Sequence, residues 1–211
     1  IRYFFLIGGN DTMDTINRVE SWCRSMGYEL TGVGIPKTVD NDLFGTDHTP
    51  GFASAAWSNI LNVMQAGTLA RDMNKVDQFV IYQTIGRDAG WLAAATAMAR
   101  RDEDDAPHLI YAPEHPFVKD RFLADADRCI RRYGWVSVVA GEGIKYEDGT
   151  PVSASVVKDK FSNTEFGAMG GASVAITLHR MIASEFGLRG EFQVPESLIM
   201  SDYVRALPAD L

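Results

Sequence analysis

The stretch "GIPKTVDNDLFGTDHTPGF" (34–52) concentrates chemistry in one loop. Lys37 supplies a cation and Thr38 a hydroxyl. Asp40 and Asp42, two apart in what reads as an extended segment, supply carboxylates that can point the same way. That combination suits phosphoryl transfer, in which one carboxylate accepts a hydroxyl proton while the cation stabilises charge on the moving group. A solvated turn uses the same residue types. "GGNDT" (8–12) sets Gly9, Asn10, Asp11 and Thr12 between a strand and a helix. Free N–H groups there receive an anion, although the same residues make a good turn and cap. A carboxylate such as Asp11 repels phosphate unless a divalent cation stands between them. "IGRDAG" (85–90) places Arg87 beside Gly86 at a helix start, where a guanidinium fork meets a phosphate, a sugar hydroxyl or solvent. "PEHPF" (113–117) stiffens Glu114 and His115 between two prolines, giving a fixed acceptor for sugar hydroxyls or a rigid structural turn.

These segments need elements to position them. "RYFFLI" (2–7) reads as a buried strand, 14–26 as a helix stopped by Gly27, and "ELTGVGI" (29–35) as a second strand. The pattern continues with a helix over 53–71, the strand "QFVIYQTI" (78–85) and the helix "GWLAAATAMARR" (90–101). The strand "HLIYA" (108–112), a helix over 119–133 and the strand "WVSVVAG" (135–141) follow. Residues 142–165 read as a long loop, 168–186 as a helix, and "SLIMS" (197–201) as a weak strand. Alternation of this length predicts βαβ units and a parallel sheet with helices on both faces. In such sheets ligands sit beyond the carboxyl ends of the strands, where all four unusual segments fall. "RDEDDA" (101–106) reads as a solvated acidic connection.

Composition bounds the answer. The 211 residues are 46% hydrophobic and 23% charged, as in an ordinary globular protein. A net charge of −8 argues against nonspecific nucleic-acid binding and against an anionic membrane surface, but leaves room for a local phosphate site. No apolar run reaches the ~18 residues of a membrane span. Cys23 and Cys129 sit in helical segments without metal-ligand spacing, as buried thiols of a reducing compartment. The four Trp and the remaining His (His48, His108, His179) read as packing, structural or solvated residues.

Taken in order and at their spacing, "GGNDT", "GIPKTVDNDLFGTDHTPGF", "IGRDAGWLA" and "PEHPF" resemble the phosphofructokinase family. The likeness is strong to about Phe117 and returns at "YVRALP" (203–208). It implies an α/β protein of two Rossmann-like α/β/α domains with mainly parallel sheets, facing each other across a cleft. Residues 1–50 with about 203–211 would belong to the phosphoryl-donor domain and 51–202 to the sugar-phosphate domain. The implied reaction moves a phosphoryl group to the 1-hydroxyl of fructose 6-phosphate, with Asp40 as general base and Thr38 and Asp42 lining the site. Gly86, Arg87 and Glu114 would hold the sugar, and Tyr203 and Arg205 would lie at its 6-phosphate. Gly9, Asn10, Asp11, Thr12 and Lys37 would hold the donor. Asp11 and Lys37, where ATP-using members tend to have Gly, resemble the pyrophosphate-dependent branch. Lys37 would bind pyrophosphate and assist catalysis, and Asp11 would hold Mg²⁺. A cytoplasmic homo-oligomer, dimer or tetramer, is implied, as is a longer chain extending beyond both ends.

Three positions depart from the family pattern. Asn10 stands for an Asp, Gln78 for an Arg that reaches a neighbouring subunit's substrate, and Val204 for a Gln. A second phosphate-binding Arg before "YVR" has no clear counterpart, Arg189 being only near. These departures keep open a catalytically silent regulatory subunit, an ATP-dependent sugar-phosphate kinase (one acting on sedoheptulose 7-phosphate, for instance) and a nucleotide-binding module without catalysis.

Overall fold

The computed structural model describes residues 1–153 and 173–210, and between them the backbone of two short strands. β1 (Tyr3–Gly8) runs parallel to β2 (Thr31–Pro36), with Tyr3 opposite Thr31 and Gly8 opposite Pro36. α1 (Asn10–Ser25) crosses between them and buries Ile16. α1 begins before the expected position 14, because Gly9 is already its N-cap. The expectation of a buried β1 needs correction. One face packs on α1, but Tyr3, Phe5 and Ile7 alternate onto an open face and are 65%, 62% and 68% exposed.

The second sheet has the order β4-β5-β3-β8 and is parallel throughout. Its strands are β3 (Phe79–Thr84), β4 (Leu109–Tyr111), β5 (Val136–Gly141) and β8 (Gly190–Gln193). Every residue of β3 and β5 is buried, which explains their continuous apolar runs. One face packs α4 (Lys119–Tyr133) and α5 (Val174–Phe186) through Phe122, Ala126, Leu178 and Ile182 against Phe79, Ile81 and Val138. The other packs α2 (Phe52–Asp72) and α3 (Trp91–Ala95) through Ile60, Val63 and Ala93 against Val80, Tyr82 and Val139. The expected sheet between helical layers is therefore present. β6 (Val157–Lys158) and β7 (Thr164–Glu165) pair antiparallel within the stretch expected to be a loop.

Several expectations are corrected in detail. "SLIMS" lies in a helix, α6 (Glu196–Met200), with Pro195 as N-cap; the strand that completes the sheet edge is β8 just before it. The helix expected over 90–101 is one α-turn followed by a 3₁₀ segment at Thr96–Ala99. Thr96 donates its hydroxyl back to the Ala93 carbonyl, a bond that competes with regular helix. The first part of the helix expected from 168 lies outside the described residues. Trp135 is core, but Trp22, Trp57 and Trp91 are 67%, 42% and 55% exposed.

The chain's end returns to the start of α2. One Asp210 carboxylate oxygen accepts from the Gly51 N–H at 2.9 Å and the other from the Ser54 N–H at 2.9 Å and the Ser54 hydroxyl. His48 Nε2 lies 3.3 Å from the first oxygen. Burial pushes this carboxyl up, but the bonds from Ser54 and Gly51 outweigh it and hold the group at about 2. Asp210 thus caps α2. Asp210→Ala should lower stability by ~2 kcal/mol, about 4–8 °C in melting temperature. The depressed carboxyl stabilises the fold above the ordinary carboxylate range. The gap between wild type and variant should therefore close as pH falls from ~4 through ~2 in thermal melts.

Candidate active site

The loop after β2 braces itself. Thr38 accepts the Asp40 N–H on its hydroxyl at 3.2 Å, closing a turn. Asn41, buried and left-handed at φ 55°, accepts the Thr49 N–H at 2.8 Å and donates to the Asp47 carbonyl at 3.1 Å. Thr49 donates its hydroxyl to the Thr38 carbonyl at 2.5 Å. The segment is therefore a knot of turns rather than the expected extended run. Asp42 turns to α1 and accepts from Asn10 Nδ2 at 2.7 Å. Asp40 is partly buried. Burial and then the negative charge of Asp42 raise its carboxyl above the usual range, while Arg87 and Lys37 pull it down. Asn41 and Thr49 escaped the sequence reading, which weighed charge and not bracing.

The first two strands deliver their ends to one place. The Lys37 N–H donates to the Gly8 carbonyl at 2.9 Å, setting "GGNDT" beside "PKTVDND". Gly9, Asn10, Asp11 and Thr12 form the cap and first turn of α1, with Asp11 and Lys37 exposed. Asp11 and Thr12 line an open hollow of about 610 Å³ with Leu6, Ile7, Asp14, Thr15 and Arg18.

From the larger sheet comes the turn after β3. Gly86 is left-handed-side backbone at φ 130°, where a side chain would strike the Ala89 carbonyl oxygen, so the turn requires glycine. Arg87 follows, exposed, its charge reaching Asp40. Glu114 Oε1 accepts the Gly90 N–H at 2.6 Å and ties the turn after β4 to that after β3. The pieces from the first sheet and from this one thus meet in one electrostatic cluster around Asp40.

Glu142, at the end of β5, also escaped the sequence reading, hidden in what looked like a featureless loop. Its Oε1 accepts the Gly86 N–H at 3.2 Å and its own N–H donates to the Thr84 carbonyl at 3.0 Å. Burial, above all, pushes its carboxyl up to about 7. A Glu-Gly after a buried strand was the available signal, and its residue types are those of an ordinary turn.

Tyr203 and Arg205 lie in a 3₁₀ turn (Tyr203–Arg205). Tyr203 is 82% exposed. Arg205 donates to Asn62 of α2 at 2.6 Å and pairs with Asp202 at 3.6 Å. Asn62 in turn donates to the Tyr82 hydroxyl. None of these bonds reaches Asp40 or Arg87. Gln78 immediately precedes β3, at the opposite end of the strand from the Arg87 turn, and donates its N–H to the Arg189 carbonyl. Arg189 pairs with Asp77 at 3.5 Å.

As a metal site the described residues offer little: no group of three or more His, Cys, Asp or Glu side chains is arranged to hold an ion. Asp42 Oδ1 is buried without a hydrogen-bond partner, and exposed Asp11 follows Asn10, the residue that donates to the other Asp42 oxygen, at the start of α1. One or two carboxylates completed by phosphate oxygens and water are the donor set of Mg²⁺, so the residues present fit that ion. Among the described residues, no helix is long and apolar enough to cross a membrane.

Comparison with known proteins finds relatives of the chain. The family model described as phosphofructokinase matches residues 1–190. The pyrophosphate–fructose 6-phosphate 1-phosphotransferase of Xanthomonas campestris is 38% identical over 200 residues, covering 94% of this chain and 47% of the relative. The enzyme of the same name from Halomonas elongata is 38% identical over 199 residues, covering 94% and 46%. The crystal structure of the pyrophosphate-dependent phosphofructokinase of Marinobacter aquaeolei superposes with a TM-score of 0.78 at 35% identity, over 100% of this chain and 48% of the other. The chain spans about half the length of the curated relatives it matches.

Proposed function

This chain belongs to the phosphofructokinase family, and on that premise we propose that its site transfers a phosphoryl group from pyrophosphate to the 1-hydroxyl of fructose 6-phosphate. The observation that carries the reading is Asp40. It is a partly buried carboxylate, raised by burial, whose field is shared by Lys37 of its own turn and Arg87 of the next sheet. A general base works best with its affinity for protons raised toward the operating pH, and the adjoining cations meet the charge of the phosphates.

In this reading Asp40 takes the proton of the sugar 1-hydroxyl as that oxygen attacks the terminal phosphorus of pyrophosphate in line. The bond from that phosphorus to the bridging oxygen breaks, and inorganic phosphate leaves with the electron pair. The reverse reaction returns the proton from Asp40. Lys37 lies beside the departing phosphate, while the cap and first turn of α1 present N–H groups to the donor. Mg²⁺, held by Asp11, would supply charge neutralisation on the pyrophosphate oxygens. Thr38 and Asp42 would line the sugar, and Gly86, Arg87 and Glu114 would hold it. Arg205 and Tyr203 would meet the 6-phosphate after the 203–210 segment shifts away from Asn62 and Asp202. Residues 1–50 with 203–211 would form the donor side and 51–202 the sugar side; the contact of Asp210 with His48 favours that grouping, while its bonds with Gly51 and Ser54 tie the segment across to the start of α2. The full-length protein would be a cytoplasmic homo-oligomer.

The test is a donor comparison on the full-length protein. Turnover of fructose 6-phosphate is expected with pyrophosphate and not with ATP. Lys37→Ala should cost about 10²-fold in kcat/KM for pyrophosphate while changing the KM for the sugar far less. ATP-supported turnover, or indifference to Lys37→Ala, would refute the donor assignment.

A further inference from the structure

Gln83 puts an amide into the buried interior of β3, where it is 1% exposed. Ala140 stands opposite it on β5 and leaves it room. Both polar atoms of the amide are used. Oε1 accepts the Ser173 hydroxyl at 2.8 Å and the Ala175 N–H at 3.0 Å, and Nε2 donates to Glu196 Oε1 at 2.9 Å. A backbone N–H can only donate, so the Ala175 bond decides which atom is oxygen and turns the NH₂ group to Glu196. Ser173 is the N-cap of α5 without a capping bond from its own side chain, and Gln83 supplies that acceptor from the sheet.

The Glu196 bond falls where the backbone ladder stops. β8 pairs with β3 only as far as Gln193, opposite Tyr82. Pro195, just before α6, has no N–H to offer. α6 is five residues long, too short to fix its own direction, and it leads into the Tyr203–Arg205 turn. The far end of this segment is tied to the same strand through Tyr82. The Tyr82 hydroxyl accepts from Asn62 Nδ2 at 3.2 Å, and Asn62 Oδ1 accepts from Arg205 at 2.6 Å. β3 thus grips 196–205 at both ends and delivers Arg87 four residues beyond Gln83. The two grips differ: Gln83 is buried, whereas the Arg205 side chain is 30% exposed and open to exchange of partners.

We infer that Gln83 is a positioning residue whose amide seats the root of α6, so that Arg205 is carried at a fixed reach from the Arg87 turn when the Asn62 end lets go. The inference rests on the functional reading above and deepens it. Without the amide N–H, Glu196 loses the bond that holds α6 against β3, and Arg205 loses its preorganisation toward the sugar phosphate. A carboxylate in place of the amide does worse, because two like charges then meet at hydrogen-bond distance. Glu142, at the end of β5, also feels the Glu196 charge, so a fair test keeps the total charge constant.

The test is an exchange of the two side chains in the full-length protein. Gln83→Glu keeps the acceptor for Ser173 and Ala175 but loses the donor to Glu196. It should raise the KM for fructose 6-phosphate about tenfold, with the KM for pyrophosphate and kcat changed less than about threefold. The double variant Q83E/E196Q restores one donor, one acceptor and the original charge, and its sugar KM should return to within about threefold of wild type. A double variant no better than Gln83→Glu, a Gln83→Glu enzyme with wild-type sugar KM, or a loss confined to kcat overturns the inference. Hydrogen exchange at the Ile199 amide, which bonds the Pro195 carbonyl, reads the seating of α6 without catalysis. It should be slow in wild type and in the double variant and fast in Gln83→Glu; equal exchange in all three overturns the inference too. If wild type turns over no fructose 6-phosphate while this order holds, the functional reading fails and the seating of α6 by Gln83 stands. If Gln83→Glu does not fold, Glu196→Ala cuts the same bond and leaves the α5 cap intact; it should raise the sugar KM about tenfold, and a wild-type KM there overturns the inference.

Discussion

Asp40→Asn is expected to lower kcat by about 10³-fold with fructose 6-phosphate and pyrophosphate, with the KM of either substrate changed only a few-fold. Asn is nearly the same size and keeps an oxygen toward the substrate, so what it removes is the proton acceptor. The sign of the stability effect distinguishes this from damage to the fold. The folded-state carboxyl of Asp40 is raised, first by burial and then by Asp42. A carboxyl raised on folding stabilises the native state only while protonated, and that contribution is lost as pH rises through its folded value. At neutral pH the ionised Asp40 is therefore a cost, and Asp40→Asn should melt at the same temperature as wild type or higher. The acid limb of kcat/KM should follow the same group. Replacing Asp42 by Asn removes a charge that raises Asp40, so the limb should move to lower pH. Loss of activity together with a lowered melting temperature would deny Asp40 the role of base.

Gly143→Ala is expected to raise the KM for fructose 6-phosphate by about 10²-fold and to destabilise the protein by about 1–3 kcal/mol. The added methyl would overlap a backbone atom, the Arg87 carbonyl oxygen, and approach the Arg87 Cα to 3.1 Å. A flexible side chain could swing aside; a backbone held by the Glu142–Gly86 bond has to shift the whole turn, and Arg87 with it. Gly149→Ala is the matched control. Gly149 has φ 81° and open space where a Cβ would go. It should cost only the conformational strain of about 1 kcal/mol and leave the KM alone. Equal KM values for the two variants, from steady-state kinetics, would mean that the close approach of Gly143 to Arg87 does not govern the sugar subsite.

Much of this was legible in the chain because it is local. A strand followed by Gly-Gly, a carboxylate within a turn and an Arg beside a glycine are chemistry carried by neighbouring residues. The four segments accordingly fall at the carboxyl ends of their strands. α4 lies where its apolar spacing predicted, 119–133, since amphipathic periodicity and a following glycine suffice to set it. The family resemblance rested on such local words in the right order, and the family assignment agrees with it.

Other features depended on residues far apart in the chain. Whether "SLIMS" became helix or strand depended on which segment reached the free edge of β3, and Gly190–Gln193 took that place. The open face of β1 reflects what packs on it, which its own apolar residues do not report. Glu142 acquires meaning only because it meets Gly86, 56 residues away, and Asp210 only because it caps a helix at Ser54, 156 away. Burial raised one of these carboxyls and hydrogen bonds lowered the other, although both carry the same ordinary chemistry in the sequence. The sequence by itself determined which groups stand at each strand end, because local spacing dictates them. The tertiary structure alone decided which carboxylate is a base, a brace or a cap, because solvation and partners are set by contacts between distant segments.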